Sequence, residues 1–280
     1  MNVAFAPTAE TNPEIGKTIT AAGIQTNVHD VGEGHPVLMI HGSGPGVSAW
    51  SNWRLNMPVL AQTMRIVAPD CVGFGYTERP AGIRYDRDTW VRHLVGVMDE
   101  LGIEQADIVG NSFGGSMALA LAIHHPKRVR RMVLMGSVGL EFELTPGLDA
   151  VWGYQPSLEN MRGLLDIFAY DRKLVTDELA MLRYRAASRP GIAEAFASMF
   201  PAPRSQGISA LAHDEESIAK LENETLIVHG REDKVIPVSN AQRLFDLIPK
   251  AEMHLFGRSG HWTQIEHKDR FNALVANFLI

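Results

Sequence analysis

One stretch of this sequence restricts the possible folds more than any other. Residues 107–115 read Asp-Ile-Val-Gly-Asn-Ser-Phe-Gly-Gly and continue into small apolar residues at 116–122. A strand, a tight Gly-x-Ser-x-Gly turn and a helix predict a nucleophile elbow, in which Ser112 occupies a strained turn with its hydroxyl exposed. Gly110 and Gly114 allow close packing there, and the helix N-terminus offers unpaired N–H groups to a developing oxyanion.

Further apolar runs predict the other strands of a largely parallel sheet. We predict a hairpin around Gly23 within residues 17–31, and strands at 36–40, 65–70, 130–135, 225–230 and 251–256. Helices are predicted at 53–60, 88–101, 239–247 and 268–280, and an irregular lead-in at 1–16. Strands that alternate with helices indicate an α/β chain with a mostly parallel, doubly wound sheet.

The pattern changes between residues 140 and 216. Helical segments with aromatic residues and methionines are interrupted there by prolines at 146, 156, 190, 201 and 203. We interpret this region as a helical lid inserted over the sheet, which divides the core into residues 1–139 and 217–280. The pattern alone leaves open that it is further core helix.

Composition excludes several classes of partner. The formal charge of −6, from 26 basic and 32 acidic residues, argues against nucleic acid and anionic membranes. The one cysteine, Cys71, excludes an internal disulfide and suits a reducing cytosol, and no signal-peptide layout or long apolar span is present. We therefore expect a cytoplasmic protein. His124, His125 and His213 lack metal-ligand spacing, so we predict no metal site.

Three residues at predicted strand ends have the chemistry of a catalytic triad. Ser112, Asp233 and His261 occur in the order Ser, Asp, His, and each follows a predicted strand. Histidine would take the serine proton, while the carboxylate would fix its tautomer and stabilise its positive charge. Glu232 is an alternative acid, but the shorter Asp233 suits a fixed position better. His261 is one of 11 histidines, and its place after the last strand favours the catalytic interpretation.

The glycine-rich loop at residues 41–46 follows a predicted strand and predicts half of an oxyanion hole. We assign the donors to the backbone N–H groups of Ser43 and Phe113, because nucleophile-elbow enzymes take one N–H from a loop in this place. The alternative is an ordinary glycine-rich turn.

Four motifs together resemble the meta-cleavage product hydrolases, the carbon–carbon bond hydrolases of bacterial aromatic degradation, and the resemblance implies an α/β-hydrolase fold. The motifs are His-Gly-Ser-Gly-Pro-Gly at 41–46, Gly-Asn-Ser-Phe-Gly-Gly at 110–115, His-Gly-Arg-Glu-Asp-Lys-Val-Ile-Pro at 229–237 and Gly-His-Trp-Thr-Gln-Ile-Glu at 260–266. The insertion shares the likeness at 147–154 and 183–188, and the whole covers residues 17–280. Ser259 stands where close relatives tend to have cysteine, which affects no catalytic assignment.

The resemblance implies roles for particular residues. Ser112, Asp233 and His261 match the family's triad, and Ser43 and Phe113 match its oxyanion donors. Residues that match those holding the dienoate end are Asn52, Asn111, Arg183 and Trp262. Pattern alone would make Arg183 a solvated helix arginine.

The resemblance also implies the reaction. The substrate would be a 2-hydroxy-6-oxo-2,4-dienoate, cleaved between C5 and C6 without a cofactor by a homo-oligomeric enzyme. The insertion motifs and the bulk of Phe113 favour hydrogen or a small alkyl group at C6. A carboxylesterase, a proline iminopeptidase and a non-catalytic receptor on the same fold remain alternatives. Dehalogenases and epoxide hydrolases use an aspartate at the position of Ser112, which disfavours them.

Overall fold

The structure, a computed structural model, describes residues 12–280. Within them eight strands form one sheet in the order β1-β2-β4-β3-β5-β6-β7-β8. The strands are β1 (Lys17–Ala21), β2 (Ile24–Val31), β3 (Pro36–Ile40), β4 (Arg65–Pro69), β5 (Ala106–Asn111), β6 (Val129–Met135), β7 (Thr225–Gly230) and β8 (Ala251–Phe256). Strands β3 to β8 run parallel, whereas β1 and β2 extend the sheet antiparallel beside β4.

Helices connect and cover these strands. The α-helices are α1 (Ala49–Trp53), α2 (Met57–Leu60), α3 (Arg87–Glu100), α4 (Phe113–His124), α5 (Pro146–Trp152), α6 (Leu158–Phe168), α7 (Asp177–Ala187), α8 (Ile192–Met199), α9 (Ser205–Leu211), α10 (Glu215–Ala219), α11 (Val238–Leu247), α12 (Thr263–Glu266) and α13 (Lys268–Leu279). Short 3-10 turns lie at Pro126–Arg128 and Arg172–Leu174.

Both faces of the sheet are covered, which explains its uninterrupted apolar strands. Helices α3, α4 and α11 pack on one face, and α1, α2 and α13 pack on the other. Every residue of β5 is buried, as a central parallel strand between two helix layers requires. The doubly wound, mostly parallel sheet is therefore confirmed. The strand predictions agree within one residue at each end, and the part of the lead-in at residues 1–11 lies outside the described residues.

The predicted helix at 53–60 is wrong. The chain instead forms α1, capped by the Ser48 side chain, and then the separate short helix α2 with Pro58 in its first turn. Proline lacks the N–H that would bond to the carbonyl of Arg54, and its ring clashes there, so one continuous helix is excluded. Between the two helices, Asn56 Nδ2 donates to Asn272 Oδ1 at 2.7 Å and ties the break to α13.

The insertion, residues 140–216, lies over the carboxyl edge of the sheet. It contributes α5 to α9, and α10 crosses its predicted C-terminal boundary. Arg183 Nη2 donates to the Pro45 carbonyl at 3.3 Å, and the His261 N–H donates to the Phe168 carbonyl at 2.8 Å. The insertion therefore contacts loops that follow both β3 and β8. No helix among residues 12–280 is long and apolar enough to cross a membrane.

Candidate active site

Ser112 lies at the sharp turn between β5 and α4. Its φ of 55° and ψ of −112° place it in a region that L-residues rarely adopt, as expected of a nucleophile elbow. A side chain on Gly110 would collide with the Gly114 backbone, and one on Gly114 would collide with the Ile40 carbonyl. The two glycines thus let β5, α4 and β3 approach closely, and the strained turn presents Ser112 to a cavity.

His261 and Asp233 form a buried pair that faces the same cavity. His261 Nδ1 and Asp233 Oδ2 are 2.7 Å apart, and His261 lines the cavity together with Ser112. Gly136 leaves the space that the imidazole occupies, since a Cβ there would lie 3.2 Å from two ring atoms. Among the described residues, no hydrogen bond joins the Ser112 hydroxyl to His261. Such contacts often tighten only when substrate is bound.

Asp233 is held as a carboxylate despite its burial. Its Oδ1 accepts from the backbone N–H groups of Val235 at 2.7 Å and Ile236 at 3.0 Å. Burial opposes ionisation, but charge and hydrogen bonding from His261, together with His229, keep the Asp233 pKa below its ordinary value. Glu232 instead bonds to Arg231 and to the Ser259 N–H. The structure therefore pairs His261 with Asp233 and leaves Glu232 outside the pair.

The Ser43 and Phe113 backbone N–H groups flank the turn at Ser112. Neither donates a hydrogen bond to another residue of the described chain, so both remain free for a ligand oxygen. The steric interpretation of Phe113 is wrong, however. Its ring is fully buried against Trp90 and Phe74, with ring centroids 4.8 and 5.6 Å away, and it does not line the cavity.

Two buried side chains hold the loop that carries Ser43 and the start of the helix that follows it. His41 Nε2 accepts from the Cys71 N–H at 2.9 Å, so its Nδ1–H donates to the Gly42 carbonyl at 2.8 Å. Burial lowers the His41 pKa to about 4, which keeps this tautomer neutral. Asp70 accepts from the Ala49 N–H at 2.6 Å at the start of α1, and burial raises its pKa to about 6.

Four further predicted residues line the cavity: Asn52, Asn111, Arg183 and Trp262. Asn52 Oδ1 accepts from the Gly42 N–H at 3.2 Å, while its Nδ2 is buried without a partner among the described residues. Asn111 Nδ2 donates to the Met135 carbonyl at 3.2 Å. One arm of Arg183 reaches Pro45, and its Nη1 is likewise buried without a described partner. Two nitrogen donors at this end of the cavity are therefore available to an acceptor.

The insertion and the segment after β8 supply contacts that the sequence reasoning missed. Phe168 stacks on Trp262 with a centroid distance of 5.1 Å and on His261 at 5.9 Å. Trp152 Nε1 donates to the Ser43 hydroxyl at 3.0 Å. Glu266 fastens the loop of His261, because it accepts from the Gly260 N–H at 2.7 Å and from the Tyr170 N–H at 2.8 Å. Trp152 and Glu266 lie within the motifs at 147–154 and 260–266, but nothing in either motif indicates which distant residue the side chain contacts.

The cavity is small and has two chemically different ends. It measures about 50 Å³; we call the part lined by Asn52 and Arg183 its polar end, while Asn111 lies beside Ser112. The remaining wall is mostly apolar and comes largely from α5 and α6: Leu148, Val151, Met161, Leu165, Phe168 and Val235. A ligand with a charged head and a short apolar tail matches this division.

The sheet, the elbow and the buried acid–histidine pair define an α/β hydrolase. The profile of the α/β-hydrolase fold family matches residues 35–268. The chain is 62% identical over 270 residues to 2-hydroxymuconate semialdehyde hydrolase of Pseudomonas sp. strain CF600, covering 96% of this chain and 95% of that protein. It is 58% identical over 268 residues to 2-hydroxy-6-oxo-2,4-heptadienoate hydrolase of Pseudomonas putida strain F1, covering 96% and 97%.

A solved structure agrees with these relatives. The meta-cleavage product hydrolase of Pseudomonas fluorescens IP01, a serine-to-alanine mutant complexed with acetates, superposes with a TM-score of 0.95. It is 62% identical, and the match covers 95% of this chain and 98% of that chain. The chain therefore belongs to the meta-cleavage product hydrolases within the α/β-hydrolase family, which confirms the resemblance inferred from its motifs.

Proposed function

We propose that this enzyme hydrolyses the C5–C6 bond of 2-hydroxy-6-oxo-2,4-dienoates with hydrogen or a short alkyl group at C6. The products are 2-hydroxypenta-2,4-dienoate and formate or a short carboxylic acid. Two relatives at 58–62% identity are named for a semialdehyde and a heptadienoate, which supports small C6 groups.

One observation carries the proposal: Arg183, a half-buried arginine, lines the cavity without a salt bridge to any described residue. Arg183 makes no salt bridge with any carboxylate of residues 12–280, and its Nη1 has no described partner. Burial lowers its pKa, because protein replaces part of the water around the charge, and the Glu14 carboxylate offsets this only in part. A buried cation is stabilised by an ionic partner, and a substrate carboxylate would provide one with charge-assisted hydrogen bonds.

The polar end therefore positions the carboxylate and the reacting end lies at Ser112. Asn52 Nδ2 adds a second donor beside Arg183, directed at the carboxylate or the C2 oxygen. The apolar wall then receives the C6 substituent. Such fixed placement of the reacting carbonyl supplies much of the rate enhancement of hydrolases.

Cleavage requires that the dienol first become a ketone. A proton moves from the C2 hydroxyl to C5, with His261 as the shuttle, and leaves C5 as a CH₂ group between C4 and the C6 carbonyl. Ser112, or a water activated in its place, then attacks C6; on the serine route, a water activated by His261 afterwards hydrolyses the Ser112 acyl ester and releases the carboxylic acid. When the C5–C6 bond breaks, its electron pair enters the conjugated C3–C4 and C2 carbonyl system as a dienolate, which is protonated to the dienol product.

The negative charge that develops on the C6 carbonyl oxygen would be stabilised by the Ser43 and Phe113 N–H groups. Donors fixed in advance cost no reorganisation at the moment of reaction, and loss of one such donor typically costs about 10²–10³ in rate. Asp233 would hold the His261 tautomer and stabilise its positive charge while the serine proton is transferred.

The test is spectroscopic, because these dienoates are yellow. Purified enzyme should bleach 2-hydroxymuconic semialdehyde and release formate and 2-hydroxypenta-2,4-dienoate in equal amounts, measured by chromatography. A carboxylesterase, an iminopeptidase or a receptor would leave the colour unchanged. Persistence of the colour at high enzyme concentration would contradict the proposal.

We also propose that residues 140–216 act as the lid over this site, between core parts 1–139 and 217–280. A cytoplasmic location is proposed from the single cysteine, Cys71, which is buried and reduced. Homo-oligomerisation stays a prediction, which light scattering coupled to size-exclusion chromatography would test.

A further inference from the structure

A second cavity adjoins the active site on the far side of Arg183. It measures about 310 Å³, larger than the catalytic cavity. The two cavities share four lining residues: Val47, Asn52, Arg183 and Trp262. The second cavity therefore begins where the polar end of the active site stops.

The charged residues that line this second cavity are all cations. Of the described residues that line it, three are cations, Arg54, Arg183 and Lys268, and none is an aspartate or glutamate. The remaining lining is largely apolar and includes Leu174 and Leu179 of the insertion. Cations on apolar walls suit a small conjugated carboxylate, whose charge and chain need different surroundings.

The cations extend from the surface to the active site. Lys268 is exposed at the start of α13, whereas Arg54, just after α1, and Arg183 are both half-buried; of the three, only Arg183 also lines the catalytic cavity. Burial also lowers the pKa of Arg54, since protein replaces the water that would solvate it. The Glu14 carboxylate, which accepts from the Ser48 hydroxyl, stabilises both arginines from outside the cavity lining.

We propose that this second cavity is the passage through which the dienoate carboxylate travels between solvent and the active site. Arg54 and Lys268 act on transit, whereas Arg183 at the inner end also holds the bound ligand. The inference rests on the proposed function, because it takes the ligand to be an anionic dienoate.

A passage has a kinetic signature that a binding contact lacks. A residue that stabilises the anion only during transit lowers the barrier for association and dissociation equally. Its loss slows both rates by the same factor and leaves the Kd unchanged. A residue that contacts the bound ligand instead changes the Kd, mostly through dissociation.

The experiment measures both rates with 2-hydroxymuconic semialdehyde and Ser112→Ala enzyme, from the stopped-flow absorbance phase that precedes ketonisation. Arg54→Gln with Lys268→Gln in that background should slow both rates about tenfold at low salt, since electrostatic steering is worth 10-fold or more. In the same variant, the association rate should also depend less on salt concentration. Lys250→Gln, an exposed lysine just before β8, removes the same charge elsewhere and should leave both rates unchanged.

A steric pair tests the passage without changing charge. Leu179→Trp would narrow the second cavity and should slow both rates several-fold. Leu182→Trp places the same ring on α7 at a residue that is 57% exposed and lines neither cavity, so its rates should match the parent.

Three results would overturn the inference. Rates equal to the parent in the Arg54, Lys268 and Leu179 variants would show that the ligand travels elsewhere. A changed Kd with unchanged association in the Arg54 and Lys268 variants would make the cavity a binding subsite instead. The third result is that the Ser112→Ala enzyme binds no dienoate and the unsubstituted enzyme bleaches none. In that case the proposed function fails as well, whereas the first two results would leave it standing.

Discussion

The indole N–H of Trp152 donates a 3.0 Å hydrogen bond to the hydroxyl of Ser43. Trp152 belongs to α5 of the insertion, and Ser43 belongs to the loop after β3 that we assign to the oxyanion hole. The indole is buried and stacks on Phe200 with a centroid distance of 4.4 Å. This hydrogen bond therefore joins the insertion to the loop that we propose carries an oxyanion donor.

Trp152→Phe should lower kcat with only a small loss of thermal stability. The variant keeps an aromatic ring for stacking on Phe200 but loses the donor to Ser43. A neutral hydrogen bond contributes about 0.5–1.5 kcal/mol, so kcat should fall about two- to tenfold. Steady-state kinetics and thermal unfolding would be compared with those of Phe200→Leu, which keeps the donor and loses the stack. An unchanged kcat in Trp152→Phe would show that Ser43 needs no support from the lid.

Ser112→Ala should abolish bond cleavage while binding persists. Removing a triad serine costs on the order of 10⁴ to 10⁶ in rate, and the oxyanion hole with substrate binding leaves a residual activity. The dienol should still ketonise, since His261 can move that proton without the nucleophile. Absorbance would follow ketonisation and chromatography would follow the products. Near-normal formate release by Ser112→Ala would contradict the triad assignment.

The sequence predicted the central strands and the elbow because their signals are local. A continuous apolar run is enough to identify β3 or β5, and Gly110, Ser112 and Gly114 carry the elbow within five residues. The break between α1 and α2 also had a local signal, Pro58, which the apolar pattern of 53–60 obscured. Helix prediction from periodicity alone therefore fails where a proline falls inside the run.

The missed site residues depend on contacts between distant segments. Phe168 reaches His261 across 93 positions, and Trp152 reaches Ser43 across 109. Aromatic residues in an amphipathic helix look alike in sequence whether they face a core or a cavity. Phe113 shows the opposite error: its bulk beside Ser112 suggested a pocket wall, but the helix turn directs its ring into the core against Trp90.

Arg183→Gln should impair dienoates far more than neutral esters. Charge-assisted hydrogen bonds contribute about 1.5–3 kcal/mol, which predicts at least a tenfold lower kcat/KM for the dienoate relative to an aryl acetate. Arg185→Gln is the matched control, because Arg185 is exposed on the same helix and lines neither cavity. Equal losses on both substrates would give Arg183 a structural role only.

Acid should destabilise the protein partly through His93. The ring is buried, with Nε2 2.8 Å from Thr26 Oγ1 and with Nδ1 accepting from the Val72 N–H at 3.4 Å. Burial, with a smaller effect from His41, lowers the His93 pKa from 6.5 to about 4. The unfolded chain therefore binds more protons between these values, so the stability from neutral His93 is complete above pH 6.5 and is lost as pH falls toward 4.

His93→Gln removes this titration while its amide can make both hydrogen bonds. Between pH 7.5 and 5, the parent should lose about 2 kcal/mol more unfolding free energy than the variant, as measured by urea denaturation. Asp70, whose pKa is raised to about 6, acts in the opposite sense in both proteins and cancels in this difference. Parallel stability curves for the two proteins would contradict the assignment.

The apolar wall of the catalytic cavity should set the preference at C6. With the Phe113 ring directed away, selectivity rests on side chains such as Leu165 of α6, which is almost fully buried and lines the cavity. Added methylenes in a packed interior cost about 1–3 kcal/mol, so a phenyl ketone should be a poor substrate beside the 6-hydrogen and 6-methyl dienoates.

Leu165→Ala should raise kcat/KM for the 6-phenyl dienoate relative to the 6-methyl compound, because it enlarges that wall. Leu164→Ala is its control: Leu164 is the adjacent residue of α6, is 3% exposed, and does not line the cavity. Both variants create a buried void that costs stability, about 2–5 kcal/mol in typical cores, so thermal unfolding should show similar losses while only Leu165→Ala shifts selectivity. If the phenyl ketone is instead the best substrate of the unsubstituted enzyme, the assignment to small C6 groups is wrong, while the fold is unaffected.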